Sequence, residues 1–156
     1  MAVVGRAELP LVVSRARERG LTLALANGCF DVLHVGHVRY LAAASAEADV
    51  LIVGINADST VTRLKGEGRP AQPQDERAEI VAAIVGVAHV VVFEEETVTE
   101  LLREVRPDVH CKGTDYTPET LPERHVAREV GARIAIVGDP KTHASRELIA
   151  RLKGES

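Results

Sequence analysis

Five short apolar runs, each followed by a stretch with helical spacing, govern what this chain of 156 residues can fold into. "LTLALAN" (21–27), "DVLIVGIN" (49–56), "HVVVF" (89–93), "PDVHCKG" (107–113) and "ARIAIVG" (132–138) are rich in branched aliphatic residues and nearly continuous in apolar character. Runs of that kind bury both faces of a strand, as in a parallel sheet covered on each side. The intervening segments "GHVRYLAAASAEA", "DSTVTRLK", "PQDERAEIVAAIV", "ETVTELLREV" and residues 122–131 read as helices, and "ASRELIARLK" adds one more at the end. Parallel strands require such crossovers, and right-handed crossovers put helices on both faces. The expectation is one doubly wound, Rossmann-like α/β domain over residues 1–156. Its five-stranded parallel sheet has the order 3-2-1-4-5, and residues 1–20 form a helical extension outside it.

Composition narrows the partners. Lys and Arg number 19 against 23 Asp and Glu, a formal charge of −4, and the basic residues are scattered. That pattern excludes nucleic acid and an anionic membrane as main partners. No apolar run approaches the roughly 18 residues of a membrane span. The start, "MAVVGRAELPLVVSRARERG", has a short apolar patch between charges and no small-residue cleavage pattern, which reads as a cytoplasmic protein without a signal peptide. Cys29 and Cys111 cannot form a C-x-x-C pair and are expected as free thiols. With no Trp, two Phe and two Tyr, the core has to be built from Val, Ile, Leu and Ala.

In a sheet of that order, ligands sit beyond the carboxyl ends of the strands where the order reverses, between the first and fourth strands. The loops leaving those strands are "NGCFDVLHVGH" and "KGTDYTP". A third segment, "KGEGRPAQP" (65–73), is rich in Gly and Pro and reads as a mobile loop.

In the first loop, Asn27 and Gly28 end a strand and Gly36 stands where the next helix begins, letting a ligand approach the backbone and its free N–H groups. His34 and His37 are three positions apart, one helical turn, so both rings can face one anion and neutralise charge developing on a phosphoryl group. Asp31 can orient a ring or bind a substrate hydroxyl. Two other readings stay open on these residues alone. Asp31, His34 and His37 can form a metal site, though neither an H-E-x-x-H pattern nor a cysteine pair accompanies them, and the histidines can simply cap the helix.

The stretch "NGCFDVLHVGHVRYL" resembles the signature of the cytidylyltransferase-like nucleotidyltransferases, an H-x-G-H motif after a G-x-F-D turn. With "LIVGINADSTVTRLKGEGRPAQPQDERAEIVAAI", "VVVFEEETVTELLREVRPDV" and "KGTDYTPE" it is similar to the adenylyltransferases that act on D-glycero-D-manno-heptose 1-phosphate in the ADP-heptose pathway, over about residues 22–152. The resemblance implies that His34 and His37 contact the triphosphate and stabilise the transition state, with Asn27, Gly28, Cys29 and Phe30 lying against it. It implies that Lys65 and Arg69 bind phosphate groups and that Arg77, in an E-x-R helix, belongs to the nucleotide site. Lys112, Gly113 and Asp115 match a K-G-x-D segment near the ribose and base, and Asp31 and Tyr116 become candidates for touching the acceptor. Mg²⁺ would accompany the nucleotide, no protein-held metal is expected, and a homodimer is expected, as many relatives are dimers. Read without the resemblance, Lys65, Arg69 and Arg77 are surface charges, Lys112 and Asp115 make a turn, and His89, His110 and His125, with no motif partner, are structural or surface residues.

One departure is plain. Where the resemblance calls for S-T-T before the last helix, this chain has Ala144, Ser145 and Arg146. Ser145 can still cap the helix and bind phosphate, with Arg146 or Lys141 replacing hydroxyls by charge. The expected reaction is transfer of AMP from ATP to a sugar 1-phosphate, with closure of the 65–73 loop over the triphosphate. Its rivals are a CTP-dependent enzyme acting on glycerol 3-phosphate or a related phosphate, and a nucleotide-binding module without catalysis. A receiver-like signalling domain would need acidic residues at the first strand, and "LTLALANG" has none.

Overall fold

A computed structural model of the chain describes residues 2–140 and 145–154. The elements alternate as β1 (Ala2–Val4), α1 (Leu9–Glu18), β2 (Leu23–Gly28), α2 (Val35–Ser45), β3 (Val50–Asn56), α3 (Asp58–Lys65), α4 (Gln74–Ala82), β4 (Val87–Phe93), α5 (Thr99–Val105), β5 (Val109–Lys112), α6 (Arg124–Glu129), β6 (Arg133–Ile136) and α7 (Ser145–Leu152). A 3₁₀ turn at Arg6–Glu8 leads into α1. All pairings are parallel, and the sheet order is β1-β4-β3-β2-β5-β6.

The sheet therefore has six strands, where the sequence suggested five in the order 3-2-1-4-5. The five expected strands are β2 to β6, and they keep that order among themselves. The sixth, β1, comes from the segment read as wholly helical. Three residues are too few to show a strand period, and tertiary contacts decide their conformation. Ala2, Val3 and Val4 pair with His89, Val90 and Val91. Arg6, just beyond, grips Glu95 through both terminal nitrogens at 2.8 and 3.0 Å and Glu104 through Nε at 2.6 Å, fixing the segment to the β4–α5 connection and to α5 itself.

Alternation along β2 divides the core. Leu23 and Leu25 face a layer with Leu9, Ala16, Leu101, Leu102 and Val105, whereas Ala24 and Ala26 face Leu41, Ala44, Ala78 and Val81. Helices α1 and α5 thus cover one face, and α2 and α4 the other. Val, Leu, Ile and Ala supply nearly all of this core, as the dearth of aromatics requires. Gly54 in β3 is fixed by packing: a Cβ there would lie 2.5 Å from the Leu101 side chain and 3.2 Å from the Phe93 ring. Among the described residues no helix is long and apolar enough to cross a membrane.

The reversal of strand order falls between β2 and β5, the neighbours that pair through Ala24–Val109, Leu25–His110 and Ala26–Cys111. Tyr40 of α2 donates its hydroxyl to the Cys111 carbonyl at 2.7 Å, which sets the distance between the two lips above that point.

Candidate active site

Beyond the carboxyl ends of β2 and β5 lies a cleft of about 830 Å³. From the first loop it is lined by Asn27, Gly28, Cys29, Phe30, Asp31, His34, Gly36 and His37. Lys65 and Arg69 close one side, and Lys112, Gly113, Asp115 and Tyr116 the other. A cleft of this size accommodates a nucleotide together with a small second molecule.

The histidines answer two of the open readings at once. His34 is the N-cap of α2, and its Nδ1 accepts the Gly36 N–H at 3.1 Å. His37 occupies the third helical position, and its Nδ1 accepts the His34 N–H at 3.1 Å, a reciprocal capping box built from imidazoles. A neutral imidazole that accepts at Nδ1 carries its hydrogen on Nε2. Capping the helix therefore fixes both rings in the tautomer whose donor edge is Nε2–H. The rings stack with centroids 3.9 Å apart, and Phe30, buried beneath, meets the His37 ring at 5.4 Å. The capping reading is thus met by both rings, each through its Nδ1. Both Nδ1 atoms are taken by the backbone, and no three His, Cys, Asp or Glu side chains are grouped to hold an ion among the described residues.

Asp31, at the wall of the cleft, is held by partners within the protein. Its side chain is fully buried and accepts from Arg69 Nε at 2.7 Å, from Ala71 N at 2.9 Å and from Gln72 N at 3.1 Å. Phe30 and Val32 on either side have φ of 50° and 54°, left-handed values unusual for any residue but glycine and costly for valine. Gln72 accepts the Val32 N–H at 3.1 Å. The segment expected to be a mobile loop from 65 to 73 is accordingly fastened at 69–72. Lys65 is the last residue of α3, and the unbroken exposed run after it extends from Gly66 to Gly68.

Burial pushes the Asp31 carboxyl up, but the Ala71 and Gln72 amides and the Arg69 guanidinium outweigh it, and its pKa lies below the ordinary Asp value. A carboxyl depressed on folding adds stability above its unfolded pKa, about 3.9, and loses it as pH falls towards the folded value. Asp31→Asn is thus expected to cost about 3 kcal/mol near pH 7, with that difference constant down to about pH 5 and shrinking below about 4. Urea midpoints of the two proteins across that pH range check it.

Arg77 is placed away from the cleft, which corrects its expected part in nucleotide contact. Its side chain is fully buried beneath the floor. Nε donates to Gln72 O at 2.9 Å, Nη1 to Cys29 O at 2.6 Å and Asn56 O at 2.9 Å, and Nη2 to Asp58 Oδ1 at 2.7 Å. One guanidinium thereby joins the ends of β2 and β3 to the 69–73 segment and α3. Lys141 and Ala144, named above for phosphate binding and for the departure from S-T-T, lie outside the described residues, and of Ser145 and Arg146 only their place at the start of α7 is described.

On the opposite lip Lys112 reaches the cleft with its ammonium 5.0 Å from the centre of the Tyr116 ring. A Cβ on Gly113 would meet nothing within 4 Å, so the backbone there lies open. Burial pushes the Cys29 thiol up despite the pull of Lys65, Arg77 and Arg69, which speaks against a thiolate nucleophile.

Several lining residues escaped the sequence reading. Arg39 and Tyr40 follow His37 on α2 and were reachable by helical spacing from Gly36. Asp139 and Glu147 had no motif to mark them; Arg39 Nη1 meets Asp139 Oδ2 at 2.7 Å across the mouth of the cleft. Glu123, behind Lys112, is eleven positions further along the chain, past an irregular loop.

The profile of the cytidylyltransferase-like family matches residues 25–149. "Bifunctional protein HldE" of Syntrophotalea carbinolica is 42% identical over 147 residues, 94% of this chain and 30% of that protein. The protein of the same name from Bradyrhizobium sp. is 43% identical over 148 residues, 95% of this chain and 30% of its own length. The chain therefore spans about a third of the relatives it matches. Among solved structures, a "lipopolysaccharide core biosynthesis protein" from Thermoplasma volcanium superposes with a TM-score of 0.66 at 23% identity, covering 78% of this chain and all of that one, a likeness of fold. With the family's profile covering both lips of the cleft, from β2 to α7, the chain belongs to the cytidylyltransferase-like family of nucleotidyltransferases.

Proposed function

We propose that the chain transfers AMP from ATP to a sugar 1-phosphate, D-glycero-D-manno-heptose 1-phosphate by its resemblance to that group of enzymes, releasing pyrophosphate. The observation that carries the reading is the imidazole capping box, which holds two Nε2–H donors at a helix N-terminus on the wall of a nucleotide-sized cleft.

In this reading an acceptor phosphate oxygen attacks the α-phosphorus, a P–O bond forms in line, and the bond from the α-phosphorus to the bridging oxygen breaks. The acceptor is already ionised near neutral pH, so the site needs no strong base. Position and charge supply the rate. His34 and His37 donate to the phosphoryl oxygens as charge builds, and Lys65 steadies the phosphates from the end of α3. Arg69, paired with Asp31, adds its remaining guanidinium edge. Mg²⁺ fits as a companion of the nucleotide: no set of three protein ligands is gathered among the described residues, and Mg²⁺ commonly takes most of its coordination from phosphates and water. It would supply charge neutralisation on the triphosphate.

The test is pyrophosphate release with Mg²⁺, crossing ATP and CTP against heptose 1-phosphate and glycerol 3-phosphate. Release with ATP and heptose 1-phosphate alone is the expected result. Release with another pair moves the substrate assignment, and binding without release in any well overturns the enzyme reading in favour of a binding module.

A further inference from the structure

Lys112 does not stand alone at its lip. Its Nζ lies 3.7 Å from Glu123 Oε2, and the same oxygen lies 3.1 Å from His110 Nε2. His110 and Lys112 are two apart on β5 and so point to one side of the strand, with Cys111 on the other in the core. Glu123 arrives from a separate element as the N-cap residue of α6. The His110 side chain is wholly buried, and those of Glu123 and Lys112 are 11% and 13% exposed.

The order of donation follows from charge. Burial pushes the Glu123 carboxyl up, but the His110 hydrogen bond and the Lys112 charge bring it below the usual Glu value, so it is ionised near neutrality and only accepts. His110 must then donate from Nε2. Its Nδ1 is buried with no partner among the described residues, and the ring acts as a strut from below. The ammonium is thus held between a carboxylate anchored in the sheet and the face of Tyr116.

We propose that Glu123 is a positioning residue for nucleotide binding: seated on His110, it holds the Lys112 ammonium at the rim of the cleft in the place from which it meets the nucleotide. The proposal rests on the nucleotidyl-transfer reading above. A lysine carries a compact charge on a flexible stem, and a partner that fixes its end removes freedom otherwise lost on binding.

The direction of the effect separates positioning from net charge. Neutralising an acid beside a site for a polyanion makes the site more positive, so charge alone predicts tighter ATP binding by Glu123→Gln. Positioning predicts weaker binding. We expect Glu123→Gln to raise the ATP dissociation constant, measured by calorimetry on the whole chain, and the KM for ATP by about tenfold, as for loss of an aligned charge-assisted contact, with kcat within about twofold. Lys112→Met should weaken binding at least as much, and Glu123→Gln added to it should change nothing further. Should Glu123→Gln melt well below the wild type, His110→Leu removes the strut, leaves both charges and should raise the same constant about threefold. Unchanged or tighter ATP binding by Glu123→Gln, or an equal loss with and without Lys112, would overturn the proposal while leaving the nucleotide reading in place. A wild-type chain that binds neither ATP nor CTP would overturn both.

Discussion

Replacing His37 with alanine is expected to lower kcat by about 10²- to 10³-fold, the usual cost of deleting one prealigned donor to a developing charge. The same change removes the acceptor for the His34 amide, so it also costs helix stability, about 1 kcal/mol for a lost cap. The two losses can be separated. A glutamine at the third helical position keeps a side-chain acceptor for the cap residue's N–H, as in the ordinary capping box. His37→Gln should therefore melt close to the wild type and remain as slow as His37→Ala. If glutamine restores turnover along with stability, the ring is only a cap and the role assigned to it is wrong. Should both variants instead raise the nucleotide KM with kcat unchanged, the ring binds the ground state and transition state alike.

The second large effect is expected from Arg77, which never meets the cleft. Arg77→Met keeps the apolar stem and leaves the Cys29, Asn56 and Gln72 carbonyls without the donor that crosses beneath them. Truncating one partner of a buried charged network typically costs 3–5 kcal/mol, so the urea midpoint should fall by about that equivalent. Turnover measured on the remaining folded fraction should fall as well, because the guanidinium spans the ends of β2 and β3 and the segment that carries Arg69. Arg77→Lys should recover only part of either loss. A single ammonium cannot address four acceptors lying in different directions, whereas the planar fork does. Equal stability of Arg77→Met and the wild type in chemical denaturation would refute this account.

Most of the sheet was legible because unbroken apolar runs have few other uses in a chain of this length. Helix α3, over Asp58–Lys65, was legible to the residue, and both histidines stood out by their spacing. What stayed hidden depended on direction in space. Asp31 precedes His34 by three positions, and proximity along the chain suggests that both serve the ligand. The left-handed turns at Phe30 and Val32 rotate Asp31 away, towards amides some forty residues further on. Arg77 lies in a polar helix start, "PQDERAE", where a charge normally meets water; only the fold reveals three carbonyls waiting there. Strand β1 is too short to have a pattern of its own. His110 had no motif partner to mark it, and the carboxylate it meets comes from beyond an irregular loop.

The twist at Val32 also bears on how such a protein responds to selection. A β-branched residue at φ 54° sacrifices on the order of 1–3 kcal/mol of stability. Selection for heat resistance alone would be drawn to this turn, where glycine relaxes the backbone without disturbing a core contact. Yet the same turn aims Asp31 at the segment bearing Arg69 and delivers the chain into the imidazole cap, so relaxation would loosen the geometry on which the proposed transfer rests. Thermostability and turnover would then trade against each other at one residue, and thermotolerant descendants of this chain that remain active should have gained their stability elsewhere.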